Sequence, residues 1–539
     1  MFQSLINRFQ TLPAGWREAT PYLLLTLAVF AAYANVYNDA FLLDDPYLVV
    51  GNKFLRDWRY LPDIFTHLNY AGADRDGVYY RPLVTVLHLI LYQIFGLSKP
   101  AFHALNIALQ ALNAGLVYKL GRKLGFGAGA VFSAALLWCV HPLNTQDITY
   151  ISSMPELICA AFMLTGLLTL LPDFTPRKIC LSLPFFLLAL GSKESAVVFP
   201  ALAVACLFIV SKNRLKPATY IKTWPFWLIS AADAAIWLLW STHSHMSDPQ
   251  DFDIDPNLYT FSLINRIFTS LATLPVYFSL MVWPTGLHFP RSFPIFTSVL
   301  SWQVLCGMVL VIGALTQIIL GKGKRGLPLS FGLFWFAATL SPYTGIVIPI
   351  DAMISEGWLY VPSIGLALGV AQTLSSRINK PKFKTITAVV VTVAALSLGV
   401  KSYSQNQVYQ NQATLYENIF SCGEDFANTH NNLGIYYLGQ NEFDKAIEQF
   451  KHVVARPGTR PPPMMAGLYI NLAVAYLRVP SDENGVTTIP ALVDALPHTH
   501  QIPEAVEALN KALEYAPDST WARQFLDIIH AYQKNGGDK

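Results

Sequence analysis

Long apolar runs separated by short polar turns fill the chain as far as Tyr403, and beyond it the pattern changes to amphipathic helical periodicity. Unbroken runs of about 15–24 residues predict membrane-spanning helices rather than the alternating strands of a barrel, because about 20 helical residues cross a hydrocarbon core of about 30 Å. The pattern places spans near 20–38, 101–118, 127–140, 155–171, 179–191, 195–211, 225–241, 299–320, 329–347, 355–374 and 385–401, about eleven in all. Residues 82–97 are apolar but short, so crossing the bilayer and lying at its surface both stay open. The run 262–284, closed by Trp283-Pro284, is read as an outer, partly embedded helix, because a full span there would reverse the sidedness of the later basic clusters.

Charge orients this arrangement. Arg8 and Arg17 precede the first run, which is read as an uncleaved helix with a cytoplasmic N-terminus. If 82–97 lies flat on the outer surface, then Lys119 to Lys123, Arg177-Lys178, Lys212 to Lys216, Lys322 to Arg325 and Arg377 to Lys384 all fall on the cytoplasmic side. An odd number of spans then puts the polar tail outside, together with the loops 41–100 and 242–298. The composition agrees with a multi-pass protein of a plasma or inner membrane: of 539 residues, 53% are hydrophobic and only 13% charged, against roughly 25% charged in soluble domains. The basic residues are dispersed as topology markers, so the net charge of +3 predicts no nucleic-acid partner. Five of six cysteines, Cys139, Cys159, Cys180, Cys206 and Cys306, lie in or beside apolar runs and Cys422 in the tail, with neither metal nor disulfide spacing.

The same sidedness gathers the unusual ionisable residues on the outer face: Asp44-Asp45, His141 with Asp147 and Glu156, Lys193-Glu194, the stretch His243 to Asp255, Asp351 and Glu356. Charges at apolar ends cost a few kcal/mol each on insertion scales, so their convergence predicts a pocket. Adjacent Asp44 and Asp45 at a bilayer edge each discourage ionisation of the other. They fit a general base, and they equally fit turn chemistry before Pro46. Arg81 and Lys193 are candidate phosphate ligands, with interfacial anchoring of Arg81 and pairing of Lys193 with Glu194 as the plainer readings. His103 reads as a core histidine; His141 is open between helix cap and site; Glu356 is open between site and dipole cap.

In the tail, Asn428 to Tyr437 followed by Gly439, Phe443, Ala446-Ile447 and Phe450 carries the Leu-Gly-x-x-Tyr and Ala-x-x-x-Phe pattern of a tetratricopeptide repeat of about 34 residues. A second unit begins at Tyr469 to Tyr476. Its partner, Ile502 to Leu513, follows a polar, proline-containing insertion over 478–500. Helix 410–420 and the last helix, 519–534, cap the array. The predicted fold is therefore all-α, with a membrane domain over 1–403 and an extracytoplasmic helical-repeat domain over 404–539.

Leu43-Asp44-Asp45, Tyr80-Arg81-Pro82-Leu83, Phe102-His103-x-x-Asn106, His141-Pro142, Glu156-Leu157, Ser192-Lys193-Glu194 and Glu356-x-x-Leu359-Tyr360-Val361-Pro362 occur in this order ahead of the repeats. In that set the chain resembles the transmembrane-and-tetratricopeptide-repeat protein O-mannosyltransferases and their bacterial relatives among the GT-C glycosyltransferases. The resemblance implies transfer of a monosaccharide such as mannose from a polyprenyl-phosphate donor to an acceptor hydroxyl, most directly a Ser or Thr of protein, on the outer face. It implies no cofactor and no metal, with Asp44 and Asp45 matching the family's acidic general base. Arg81, Lys193, Glu194 and Arg291 are the candidates for the donor phosphate, and Tyr80, His141, Glu156, Glu356 and Tyr360 for the rest of the pocket. Two cations usual in the family are absent, where Met154 and Gly357 stand. The rival reading is a non-catalytic membrane anchor whose repeats recruit envelope proteins, and it requires no charged outer pocket.

Overall fold

A computed structural model describes residues 13–241 and 262–536 apart from positions 76, 78, 322, 324, 325, 351, 379, 380, 457–461 and 482–486. Arg8, the stretch His243 to Asp255, Lys322, Lys324, Arg325 and Asp351 lie outside the described residues. The described chain is helical throughout, and its one β feature is an isolated bridge between Ser481 and Thr487. The described residues form two compact units, one up to Asn411 and one from Gln412 onward.

In the first unit a helix occupies each run expected to span. Among the described residues, five helices are long and apolar enough to cross a membrane: Ile151–Leu170, Leu263–Val282, Trp302–Leu320, Glu356–Ser375 and Lys382–Tyr409. Several others are shorter than their apolar runs, among them Ala128–Cys139 and Phe199–Val210. The Trp302–Leu320 helix leaves Val309 68% and Leu320 75% exposed. A row of large exposed aliphatics has no reason to persist against water, and lipid is the solvent it matches. The protein is an integral membrane protein of all-α class.

Residues 262–284 form one continuous helix, Leu263–Val282, with Pro275 inside it and with the length and hydropathy of a candidate span. Asn265, Thr269 and Thr273, one helical turn apart, are buried along one face. Pro82–Phe95, by contrast, is a 14-residue helix, about 21 Å long and short of a bilayer core.

The Lys99–Lys123 helix is the polar spine of this unit. Asn106, Gln110 and Asn113 share one of its faces and are wholly buried. Each satisfies a backbone carbonyl on a neighbouring segment: Asn106 donates to Ile148 O (3.2 Å), Gln110 to Cys139 O (3.1 Å) and Asn113 to Leu157 O (2.9 Å). Asn113 also donates to the Tyr360 hydroxyl, which in turn donates to Gln110. In an apolar surrounding these bonds fix which helices are neighbours, since each amide left unpaired costs free energy.

Leu327–Leu340 and Tyr360–Ser375 cross closely enough that a Cβ on Gly369 would lie 2.4 Å from Pro328 O, and one on Gly365 would meet the Trp335 side chain. Small residues at such a crossing let backbones approach where lipid supplies no hydrophobic drive. Gly369→Ala is expected to destabilise the detergent-solubilised protein by about 1–3 kcal/mol, the cost of forcing extra volume into a packed site. Thermal unfolding of the pair checks it, and an unchanged midpoint would count against this crossing.

In the second unit, Ala427–Gly439 and Phe443–Val454 form an antiparallel hairpin, with Leu433, Gly434 and Tyr437 facing Ala446, Ile447 and Phe450. A Cβ on Gly434 would meet the Phe450 ring at 2.6 Å. Pro462–Tyr476 pairs with Ile502–Tyr515 across an insertion that carries the short helix Ile489–Ala495. Gln412–Ser421 and Thr520–Lys534 stand at the two ends of the array.

Candidate active site

The loop after the first helix presents its two carboxylates differently. Leu43 adopts a left-handed backbone, φ +48°, which is costly for a branched residue and turns the chain sharply at this point. Beyond it Asp44 is exposed and Asp45 is buried. Asp45 stands at the N-cap of the helical turn Pro46–Val50. Its carboxylate accepts from Leu42 N (2.8 Å), from Ser152 N (2.8 Å) and from the Ser152 hydroxyl. It therefore ties the loop to the segment ahead of the Met154–Leu170 helix. Asp44 is held by Tyr150, whose hydroxyl donates to Asp44 Oδ2 (2.9 Å) and accepts from Asp44 N (3.0 Å). The Tyr70 hydroxyl bonds the same carboxylate. The two carboxylates are therefore unlike: Asp45 is buried and tied to Leu42 and Ser152, and Asp44 offers an accessible, oriented oxygen.

Burial pushes the Asp45 carboxyl up to about 7, against the hydrogen bonds from Ser152 and the Leu42 amide that favour its ionised form. The unfolded chain releases this proton near pH 4. The folded state holds it longer, so the group's contribution to stability is complete below about pH 4 and is lost as pH rises through 7. Asp45→Asn, which cannot titrate, is expected to show a smaller drop in melting temperature between pH 5 and 8 than the parent protein. Parallel pH profiles of the two would contradict this.

A chain of ion pairs lies on the side of Tyr70 where Arg81 stands. Arg81 binds Glu194 with both arms, Nε to Oε2 at 3.1 Å and Nη2 to Oε1 at 2.7 Å, and lies over the Tyr79 ring at 4.2 Å. Lys193 pairs with Glu156, not with its neighbour Glu194. Tyr343 donates to the same Glu156 (3.3 Å), lies under the Lys193 ammonium and stacks on Trp358. Arg291 donates to Glu356 Oε1 (2.7 Å) and to Gly286 O (2.8 Å), with its Nε buried and unpartnered among the described residues. Between the last two pairs lies Asp147, buried, with one oxygen unpartnered; burial first, then Glu156, holds its carboxyl well above the ordinary range, with Glu356 adding to the rise. A small cavity joins this chain to the loop, lined by Arg81, Ser152, Leu48, Asn69 and His88.

Three residues named from the sequence have other partners. Tyr80 is exposed and donates to Phe65 O (2.9 Å), bracing the short helix Leu61–Thr66. His141 caps the turn that follows it: its Nδ1 accepts from Leu143 N and its Nε2 lies 3.1 Å from Met281 O. Tyr360 sits in the core against Trp138, bonded to Gln110 and Asn113. His103 is buried with Nε2 near Asp39 O (3.3 Å), a core histidine as expected. The residues missed are Tyr70, Tyr150, Ser152 and Tyr343. Nothing local marks them, since each acts through a partner at least 26 positions away, and only the run of polar residues at 144–153 hinted that this connector is more than a turn.

The two missing cations also find an explanation. Met154 is fully buried in an apolar cluster with Val49, Phe54 and Phe102. A Cβ at Gly357 would come within 2.7 Å of Asp147 Oδ1, so a longer side chain there would displace Asp147. Lys193 and Arg291 supply positive charge to the two carboxylates, Glu156 and Glu356, beside those positions.

Comparison with known proteins follows this geometry. Protein O-mannosyl-transferase TMTC3 of Mus musculus is 23% identical over 497 residues, which cover 86% of this chain and 53% of that protein. Protein O-mannosyl-transferase TMTC4 of Homo sapiens is 23% identical over 492 residues, covering 80% and 65%. Protein O-mannosyl-transferase F38B6.6 of Caenorhabditis elegans is 23% identical over 445 residues, covering 79% and 61%. The chain is a distant relative of the protein O-mannosyl-transferases. It spans between about half and two thirds of the length of these relatives. No family model and no solved structure matches it. The likeness to these protein O-mannosyl-transferases covers most of the chain, the same extent over which the sequence motifs are distributed.

Proposed function

We propose that the protein is a membrane glycosyltransferase that moves a monosaccharide from a polyprenyl-phosphate donor to a hydroxyl of a protein acceptor at the extracytoplasmic face. The observation that carries the proposal is Asp44: an exposed carboxylate fixed by Tyr150 and Tyr70 at the edge of an apolar helical bundle, with part-buried cations in the adjoining chain of ion pairs. An alcohol attacking an anomeric carbon must lose its proton as the bond forms, and a carboxylate within hydrogen-bond reach takes it. The leaving lipid phosphate gains charge, and Arg81 and Lys193, in the adjoining chain of ion pairs, retain donors beyond their carboxylate partners. Their partial burial strengthens their field over that of exposed cations. Asp45 acts as the positioning residue for Asp44 through its bonds to Leu42 and Ser152. The names of the relatives support a sugar transferase acting on protein, and the helical hairpins of residues 412–536 supply a surface on which an extended segment can lie.

Transfer of labelled sugar by the purified full chain from a panel of polyprenyl-phosphate sugars to Ser/Thr peptides tests the reading. At least one donor is expected to support transfer. Chelator is expected to leave transfer to short peptides intact; loss restored by Mg²⁺ or Mn²⁺ would place a metal in the reaction instead. Absence of transfer from every donor, alongside intact partner capture by the repeats, would favour the membrane-anchored scaffold.

A further inference from the structure

The repeat unit contains a second cluster that the transfer reading does not use. His430 lies in the second turn of Ala427–Gly439, and His452 in the last turn of Phe443–Val454. The tight hairpin brings these two helix ends together beside Asp425, in the loop ahead of the first helix. Both Nε2 atoms converge on one oxygen: His430 at 2.8 Å and His452 at 2.9 Å from Asp425 Oδ1. The other oxygen of Asp425 is taken by Arg456. The imidazoles stack with centroids 4.0 Å apart, and Phe420 covers the far face of His430 at 4.2 Å.

His430 Nδ1 lies 2.6 Å from Gln449 Oε1. The two Nε2 nitrogens and a carboxylate oxygen of Asp425 lie within 4.8 Å of one another, and each offers one ligand position to the same point. A divalent cation seated between them takes all three as ligands.

We propose that Asp425, His430 and His452 form a zinc site that clips the loop before the first repeat helix to the end of the second. Two imidazoles and one carboxylate suit Zn²⁺ rather than Ca²⁺ or Mg²⁺, which take all-oxygen shells. Ligands about 2.0–2.2 Å from a tetrahedral ion stand roughly 3.3 Å apart, so the two nitrogen–oxygen spacings of 2.8 and 2.9 Å need to open by only about 0.4 Å. A water completes the coordination. Gln449 fixes the His430 tautomer, and Arg456 orients the carboxylate, as second-layer groups do around metal sites.

The test uses the full chain in detergent, stripped with chelator, exchanged into metal-free buffer and titrated with Zn²⁺ in competition with a chromogenic chelator. Binding is expected at this site, lowered at least 10-fold in His430→Gln and in His452→Gln, and lowered about 10–100-fold in Gln449→Leu. Zn²⁺ is expected to raise the melting temperature of the parent protein and not of His452→Gln, and Co²⁺ to give the absorption of a tetrahedral site in the parent alone. His452 is partly exposed, so its variant keeps the test interpretable if His430→Gln does not fold. No Zn²⁺ binding, or binding equal in parent and His452→Gln, would overturn the proposal; imidazolium signals for both histidines at neutral pH would assign the cluster to proton-held ion pairs.

Discussion

Asp44→Asn is expected to lower sugar transfer by about 10²–10⁴-fold, the range that general-base catalysis contributes, while leaving folding and donor binding near those of the parent protein. The amide keeps the shape of the carboxylate and can still meet the Tyr150 and Tyr70 hydroxyls, so little structural cost follows at an exposed position. It cannot take a proton from an attacking alcohol. Asp44→Glu keeps the charge but moves the oxygens by one methylene, and an intermediate rate is expected because reach and angle change together. Asp45→Asn separates the roles. Its amide nitrogen would face either the Leu42 N–H or the Ser152 donors, so the loop loosens and the loss tracks stability more than chemistry. Initial rates of labelled-sugar transfer, read beside melting temperature and donor binding for all three variants, distinguish these outcomes. A parent-like rate in Asp44→Asn would remove this carboxylate from the reaction.

Lys193→Met is expected to cost about 3–5 kcal/mol of stability, the penalty for leaving one member of a buried ion pair without its partner. Glu156 is 2% exposed, and after the change it keeps only the Tyr343 hydroxyl at 3.3 Å among the described residues, with the buried Asp147 carboxyl close by. Neutralising the orphan should recover most of the loss. The double variant Lys193→Met with Glu156→Gln is therefore expected to unfold nearer the parent than the single one does. Denaturant unfolding in a fixed detergent measures the cycle. Equal and additive losses would mean that the pair is solvated and that the energy lies elsewhere.

Much of the architecture was legible along the chain. Every apolar run read as a span is a helix, because runs of that length can satisfy their backbone hydrogen bonds in lipid only by coiling. The hairpin of Leu433, Gly434 and Tyr437 on Ala446 and Phe450 was legible for a related reason, since side chains spaced by helical turns must meet a partner helix of matching period. The run 262–284 was legible as a helix, and its buried Asn265, Thr269 and Thr273 lie along one face without interrupting it.

The site was legible only as a set of residue types on one face. The sequence by itself determined that Asp44, Asp45, Arg81, Glu156, Lys193, Glu194, Arg291 and Glu356 are too costly at a membrane boundary to stay unpartnered. Tertiary structure alone decided the partners. Lys193 reaches Glu156 across 37 positions and leaves Glu194 to Arg81, 113 positions away. It also decided which aspartate faces outward, because Ser152, delivered by a distant segment, accepts the burial of Asp45 and not of Asp44. Local propensity acts within a few residues, whereas pairing energies depend on distance and desolvation in space, and those exist only after the helices have packed.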